Sequence, residues 1–185
     1  FAYGGYEIAL VDLKPREAAD WEKLRDEAQA EMHASLAMLA ELEAMPRDAI
    51  DRVLGRIRLV PEPEAAGALA DAEVVFEGVP ETLAAKQETF ARLCTLIPQD
   101  AILASTTSTI LPGDLAAFAT HPERLLNAHW LNPAFVIPLV ELSAHATTAH
   151  AAIARLRGCS RTSARCRCCA LRRRAISCRG CRRSS

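Results

Sequence analysis

Residues 126–142, LNAHWLNPAFVIPLVEL, read as a strand, a proline-interrupted turn and a second short strand. His129 closes the first strand, Asn132-Pro133 opens the turn, and Glu141 follows the apolar run Pro138-Leu139-Val140. A carboxylate inside an apolar run is costly to bury unless it is paired. A chain that leaves at His129, turns and returns by Glu141 brings an imidazole and a carboxylate together. Such a carboxylate selects the histidine tautomer and steadies the imidazolium, which suits a general base near neutral pH. Spacing alone favours a plainer reading: a histidine that ends a strand and a glutamate on a solvated edge.

Upstream of this stretch, strand-like and helix-like segments alternate. Residues 7–12, EIALVD, form a short apolar run ending in an acid and predict a buried parallel strand after the turn residues Gly4-Gly5. In a dinucleotide-binding βαβ unit the second strand ends in an acid that grips the adenosine ribose hydroxyls, and Asp12 has that place. Its charge is expected to favour NAD over NADP by repelling a 2′-phosphate; an acid that simply ends a strand is the plain alternative. From Pro15 to Met45 the pattern turns helical, with Leu24, Ala28, Met32, Leu36, Leu39 and Leu42 forming an apolar stripe before Pro46. A helix this long is expected to stand out as an arm. Further segments predict a helix over 48–56, a strand over 57–60, a helix over 65–70, a strand over 73–77, a helix over 82–97 and a strand over 101–105. In the helix over 82–97, Leu83, Phe90, Leu93 and Ile97 are expected to face inward, and Cys94 to be a buried thiol. The alternation predicts an α/β fold with a doubly wound, mainly parallel sheet.

Several of these segments resemble the L-3-hydroxyacyl-CoA dehydrogenase family. HWLNPAFVIPLVEL is similar to the family's catalytic segment, H-F/W-x-N-P followed by a short apolar stretch and V-E, with the same spacing of twelve from His129 to Glu141. The resemblance runs from Phe1 to about Arg157. It implies an NAD-binding Rossmann-type domain over 1–157, in which His129 is the base, Glu141 orients it, and Asn132 and Ser108 position substrate and nicotinamide. Glu81 and Lys86, in VPETLAAK, keep the spacing of a family glutamate and lysine that touch the cofactor; without the resemblance they read as a capping acid and a solvated lysine. Ser108 falls in ASTTST, residues 104–109, where the family has A-S-N-T-S-S/T and Thr106 stands in place of the usual Asn. The long helix corresponds to the family's arm against CoA. The implied reaction is oxidation of the 3-hydroxyl of an acyl-CoA by NAD, in fatty-acid β-oxidation or hydroxybutyryl-CoA metabolism. The family is homodimeric through a helical domain that does not follow in these residues.

The chain has 185 residues and a net charge of −1 that hides a split. Residues 1–157 carry all 23 acids and 13 of the 22 Lys and Arg, a balance of −10, whereas 158–185 carry nine Arg and no acid, +9. That tail also holds six of the seven Cys. Cys166-x-Cys168-Cys169 and Cys178-x-x-Cys181 have spacings compatible with zinc, and the arginines with nucleic acid, but no histidine or apolar core accompanies them. No metal and no nucleic-acid partner is therefore expected. The composition is that of a GC-rich gene read out of frame, and the tail is expected to be disordered. There is no run of eighteen apolar residues and no visible signal peptide, so no membrane partner and a cytoplasmic location are expected. No initiator Met and no G-x-G-x-x-G precede residues 7–12. These 185 residues are accordingly expected to be an incomplete sheet without turnover of their own; a non-catalytic remnant is the principal rival to a working dehydrogenase.

Overall fold

The computed structural model describes residues 1–131, 137 and 139–158 in full, and residues 159 and 167–171 as backbone. Seven strands form one sheet: β1 Glu7–Val11, β2 Ile57–Val60, β3 Val74–Glu77, β4 Ile102–Ser105, β5 Leu125–Trp130, β6 Val140–Ser143 and β7 Arg167–Leu171. Their order is β2-β1-β7-β3-β4-β5-β6. All neighbours pair in parallel except β5 and β6, which are antiparallel. The helices are α1 Ala18–Glu41, α2 Ile50–Leu54, α3 Ala65–Leu69, α4 Leu83–Leu96, α5 Pro112–Ala116 and α6 His150–Cys159. The expected Rossmann-type α/β architecture is present.

The strand sequences explain their positions. All four residues of VVFE in β3 and of ILAS in β4 are buried, as befits strands covered on both faces. Alternation sends Val75 and Leu103 to one face, with Leu69, Phe90, Leu93 and Leu115 of α3, α4 and α5. It sends Val74, Phe76, Ile102 and Ala104 to the other, with Ala152 and Leu156 of α6. A third cluster packs Met45, Ile50 and Val53 under Leu36 and Leu39 of α1. The stripe on α1 is thus partly used: Ala28 is buried, whereas Leu42 is 55% exposed just beyond the helix end. Glu43 follows with a φ of 55°, the left-handed residue that reverses the chain there. The hydroxyl of Thr82 accepts a hydrogen bond from the Ala85 amide and caps α4.

Three expectations are corrected. Leu83 does not face inward but is 49% exposed, because it opens α4 at the sheet rim. Cys94 is half-buried, with the Thr120 amide on its Sγ at 3.4 Å. Residues 150–159, for which no element was expected, form α6 and supply the apolar cover of one face. Residues 167–171 pair in parallel with both β1 and β3. The physical reason is the slot between those strands. Two facing ladders of backbone donors and acceptors are costly to leave unpaired among buried residues, and a five-residue stretch is enough to satisfy them. The flanking arginines dominate the composition and hide that short run. β1 and β3 therefore do not present open edges to each other. The remaining tail residues, including Cys166, Cys178 and Cys181 of the zinc-like spacings, lie outside the described residues. Among the described residues no helix is long and apolar enough to cross a membrane.

Candidate active site

Parallel pairing puts the carboxyl ends of β1, β7, β3, β4 and β5 on one edge of the sheet, where ligands of doubly wound folds bind. The sequence-predicted residues assemble along it. Asp12 follows β1, Glu81 and Lys86 follow β3, Ser108 follows β4, and His129 is the penultimate residue of β5.

The antiparallel register of β5 and β6 places His129 directly opposite Glu141. Facing residues on neighbouring strands have side chains close enough to touch. His129 Nδ1 lies 3.3 Å from Glu141 Oε2. With Nδ1–H donating to the carboxylate, Nε2 keeps its lone pair and can accept a proton. The expected contact is present, but the expected burial is not: the Glu141 side chain is 59% exposed and that of His129 30%. The reason is that β6 is the sheet's edge strand and residues alternate in and out along it, with Val140 and Leu142 half-buried and Glu141 and Ser143 exposed. Asn132 lies outside the described residues.

Period-two alternation also lines up Glu77, Ser105, Asn127 and His129 on one face. Glu77 pairs with Ser105, and Ser105 with Asn127, across three successive strands. All three are buried. Glu77 receives Lys86 Nζ at 2.9 Å on each carboxylate oxygen, the Ser105 hydroxyl at 2.7 Å, and the Val79 amide. Lys86 also donates to the Val79 carbonyl at 3.3 Å. The ammonium of Lys86, the expected cofactor contact, is enclosed, with a side chain only 1% exposed. The helical cap at Thr82 brings it one turn into α4, back over the end of β3. Sequence reading missed Glu77, whose signal is an acid that closes a run of apolar residues and therefore needs a buried cation. It also missed Asn127, whose Nδ2 donates to the Ile110 carbonyl at 3.1 Å while its buried Oδ1 has no partner among the described residues.

Glu81 closes on the hydroxyl-rich loop. Its Oε1 accepts from the Ser108 amide at 3.0 Å, the Thr109 amide and hydroxyl at 2.9 Å each, and the Thr107 hydroxyl. Burial pushes this carboxyl up, but the bonds from Thr107, Thr109 and Ser108 outweigh it and bring it from 4.5 down to about 2. A carboxyl lowered on folding contributes stability that is complete above its unfolded value and fades as pH falls through the folded one. The loop over 107–109 should therefore keep its protection against amide exchange at pH 5 and lose it between pH 4.5 and about 2. Glu81→Ala should remove that pH dependence; if it does not, the clamp is not what holds the loop.

Asp12 lines a cleft of about 350 Å³ with Leu13, Lys14, Arg16, Val79, Pro80, Thr89 and Arg92 among its walls. Its Oδ1 accepts from the Lys14 amide at 3.1 Å, and its Oδ2 is paired with Arg16. Arg92 ties this rim together, bonding the Leu13 carbonyl and Glu62. A roomier hollow, about 560 Å³, lies on the opposite face against Phe76, Trp130 and Leu156. It is largely apolar and away from the His129 face, so the chemistry is assigned to the carboxyl edge.

An acid after β1, a hydroxyl-bearing loop after β4 and a histidine–carboxylate pair closing β5, all at one edge of a doubly wound sheet, define a dinucleotide-dependent dehydrogenase domain. The chain belongs to the 3-hydroxyacyl-CoA dehydrogenase family: residues 1–166 match the model of 3-hydroxyacyl-CoA dehydrogenase, NAD binding domain. It is similar to 5-formyl-3-hydroxy-2-methylpyridine 4-carboxylate 5-dehydrogenase of Mesorhizobium japonicum, with 31% identity over 158 residues, covering 84% of this chain and 47% of that protein. It is 44% identical over 87 residues to L-carnitine dehydrogenase of Burkholderia mallei, covering 47% of this chain and 26% of that one. Among solved structures it resembles 3-hydroxybutyryl-CoA dehydrogenase from Escherichia coli, with TM-score 0.72 and 29% identity over 86% of this chain and 32% of that chain. The chain spans about half or less of the length of these proteins. NAD is the cofactor of the domain. The residues present fit its adenosine end, where Asp12 offers a carboxylate inside a cleft at the strand terminus. Its pyrophosphate rests in such folds on a glycine-rich loop, and no G-x-G-x-x-G occurs in the 185 residues.

Proposed function

We propose that this domain serves oxidation of a secondary 3-hydroxyl group, with an acyl-CoA as substrate class. The observation that carries the reading is the register-enforced pair of His129 and Glu141, opposite each other at the carboxyl edge. NAD, when bound, takes up the hydride from the hydroxyl-bearing carbon. His129 Nε2 accepts the hydroxyl proton as the carbonyl forms. Glu141 holds the ring in the tautomer that leaves Nε2 free and offsets the charge the ring acquires. Ser108 offers its hydroxyl to the substrate's 3-oxygen, and Glu81 sets where that hydroxyl stands by gripping its loop. Asp12 takes the adenosine ribose hydroxyls. Asn132 is assigned to substrate and nicotinamide by family position.

A second substrate reading, a small free hydroxy acid, is favoured by the similarity to L-carnitine dehydrogenase and to the pyridine carboxylate dehydrogenase.

The test uses a chimera that adds a strand with a glycine-rich loop ahead of Phe1 and a substrate domain after Arg157, both from the E. coli relative. NADH absorbance is followed with 3-hydroxybutyryl-CoA and with L-carnitine. Formation of NADH with the CoA ester supports the first reading, and with carnitine alone the second; none with either would remove the dehydrogenase assignment. Residues 1–185 by themselves are expected to give no measurable NADH, because they hold no G-x-G-x-x-G to cradle the pyrophosphate and, among the described residues, the dyad stays open to water, with the Glu141 side chain 59% exposed. Robust NADH production by 1–185 that His129→Gln abolishes would overturn that expectation.

A further inference from the structure

The negative charge of Asp12 is the basis for excluding a 2′-phosphate, and in this structure that charge is already countered. Arg16 sits on Oδ2 and the Lys14 amide on Oδ1. The Asp12 and Arg16 side chains are 12% and 26% exposed, so the pair lies at the mouth of the cleft and is reached by solvent. Arg92, the other cation of the wall, is held by Glu62 and the Leu13 carbonyl. Lys14 lines the same cleft, and among the described residues its ammonium makes no ion pair. The cleft mouth therefore carries one neutral pair and one uncommitted cation.

We propose that Arg16 is a specificity residue, through which the adenosine end of the cleft accepts a 2′-phosphorylated ribose as well as a free diol. This rests on the reading of Asp12 as the ribose ligand. The two ligands ask different things of Arg16. A free diol donates both hydroxyls to Asp12 and competes with Arg16 for the carboxylate, so Arg16 weakens its binding. A phosphomonoester brings roughly two negative charges and several strong acceptor oxygens. Arg16 is four residues from Asp12 on a flexible stem, and its guanidinium has donors to spare beyond the one on Oδ2. It can turn from carboxylate to phosphate, with Lys14 as a second cation, while water at the cleft mouth screens the repulsion from Asp12.

The experiment titrates 5′-ADP and 2′,5′-ADP into residues 1–185 and follows the amide resonances of Lys14 and Arg16. The unmutated chain should bind the two nucleotides within about fivefold of each other, and Arg16→Ala should move them in opposite directions. ADP should tighten about two- to threefold, and 2′,5′-ADP should weaken about tenfold, the order expected for one lost charge-assisted hydrogen bond. Arg16→Lys should keep most of the 2′,5′-ADP affinity. A preference of the unmutated chain for ADP by more than about thirtyfold, or equal weakening of both nucleotides in Arg16→Ala, would overturn the proposal. If neither nucleotide shifts these resonances, or if Asp12→Ala leaves ADP binding unchanged, the ribose assignment itself fails and the proposal with it.

Discussion

In the chimera that supplies a glycine-rich loop and a substrate domain, His129→Gln is expected to lower kcat by about 10²- to 10⁴-fold, the usual worth of a positioned general base. Glutamine keeps much of the size and polarity of histidine but has no basic nitrogen. The hydroxyl proton must then leave to water while hydride departs, so the barrier rises in the chemical step. The dissociation constant of NAD should stay the same, because His129 is at the far end of the sheet edge from Asp12, with β7, β3 and β4 between their strands. Glu141→Gln should give a smaller loss with the same signature, since it removes the orienting charge and leaves the base. In this structure both side chains are partly exposed, and an exposed pair is worth little. The loss in Glu141→Gln should therefore be larger when a substrate domain covers the dyad. Near-normal turnover in His129→Gln would end the assignment of His129 as the base.

The second large effect is on stability. Lys86→Met should destabilise the fold by about 3–5 kcal/mol, the usual result of removing one member of a buried ion pair. Glu77 would keep the Ser105 hydroxyl and the Val79 amide but lose its counter-charge, between two strands where water does not reach. The same change in a solvated lysine would cost within about 0.5 kcal/mol, so urea unfolding separates the two cases. Combining Lys86→Met with Glu77→Gln should recover most of the loss. The amide removes the stranded charge and its oxygen still accepts from Ser105 or Val79, and well-packed uncharged replacements of buried pairs are often neutral. A double variant no more stable than Lys86→Met alone would show that the pair contributes by packing rather than by charge.

The strands from β1 to β6, the doubly wound plan and the dyad were legible in the linear chain, because each is written in local pattern. Apolar runs such as EIALV, VVFE and ILAS can be satisfied only as covered strands, and the stretches between them repeat at helical spacing. The family motif around His129 and Glu141 carried their pairing; the register of β5 and β6 supplied its physical cause. What the sequence did not decide is where a charge goes once the elements pack. Lys86 reads as solvated and Glu77 as a strand end, yet α4 lays one over the other and buries both. Glu81 reads from local pattern as a capping acid, yet the return of the chain after β4 makes it the anchor of the 107–109 loop. Asp12 reads as a bare charge, yet the turn before α1 brings Arg16 onto it. The pairing of 167–171 with both β1 and β3 is likewise set by the slot between those strands and not by local pattern. These outcomes share one reason. Local pattern reports how much apolar surface a segment must hide, whereas the partner of a polar group is set by strands and helices far away in the chain, and only the tertiary structure brings them within hydrogen-bond reach.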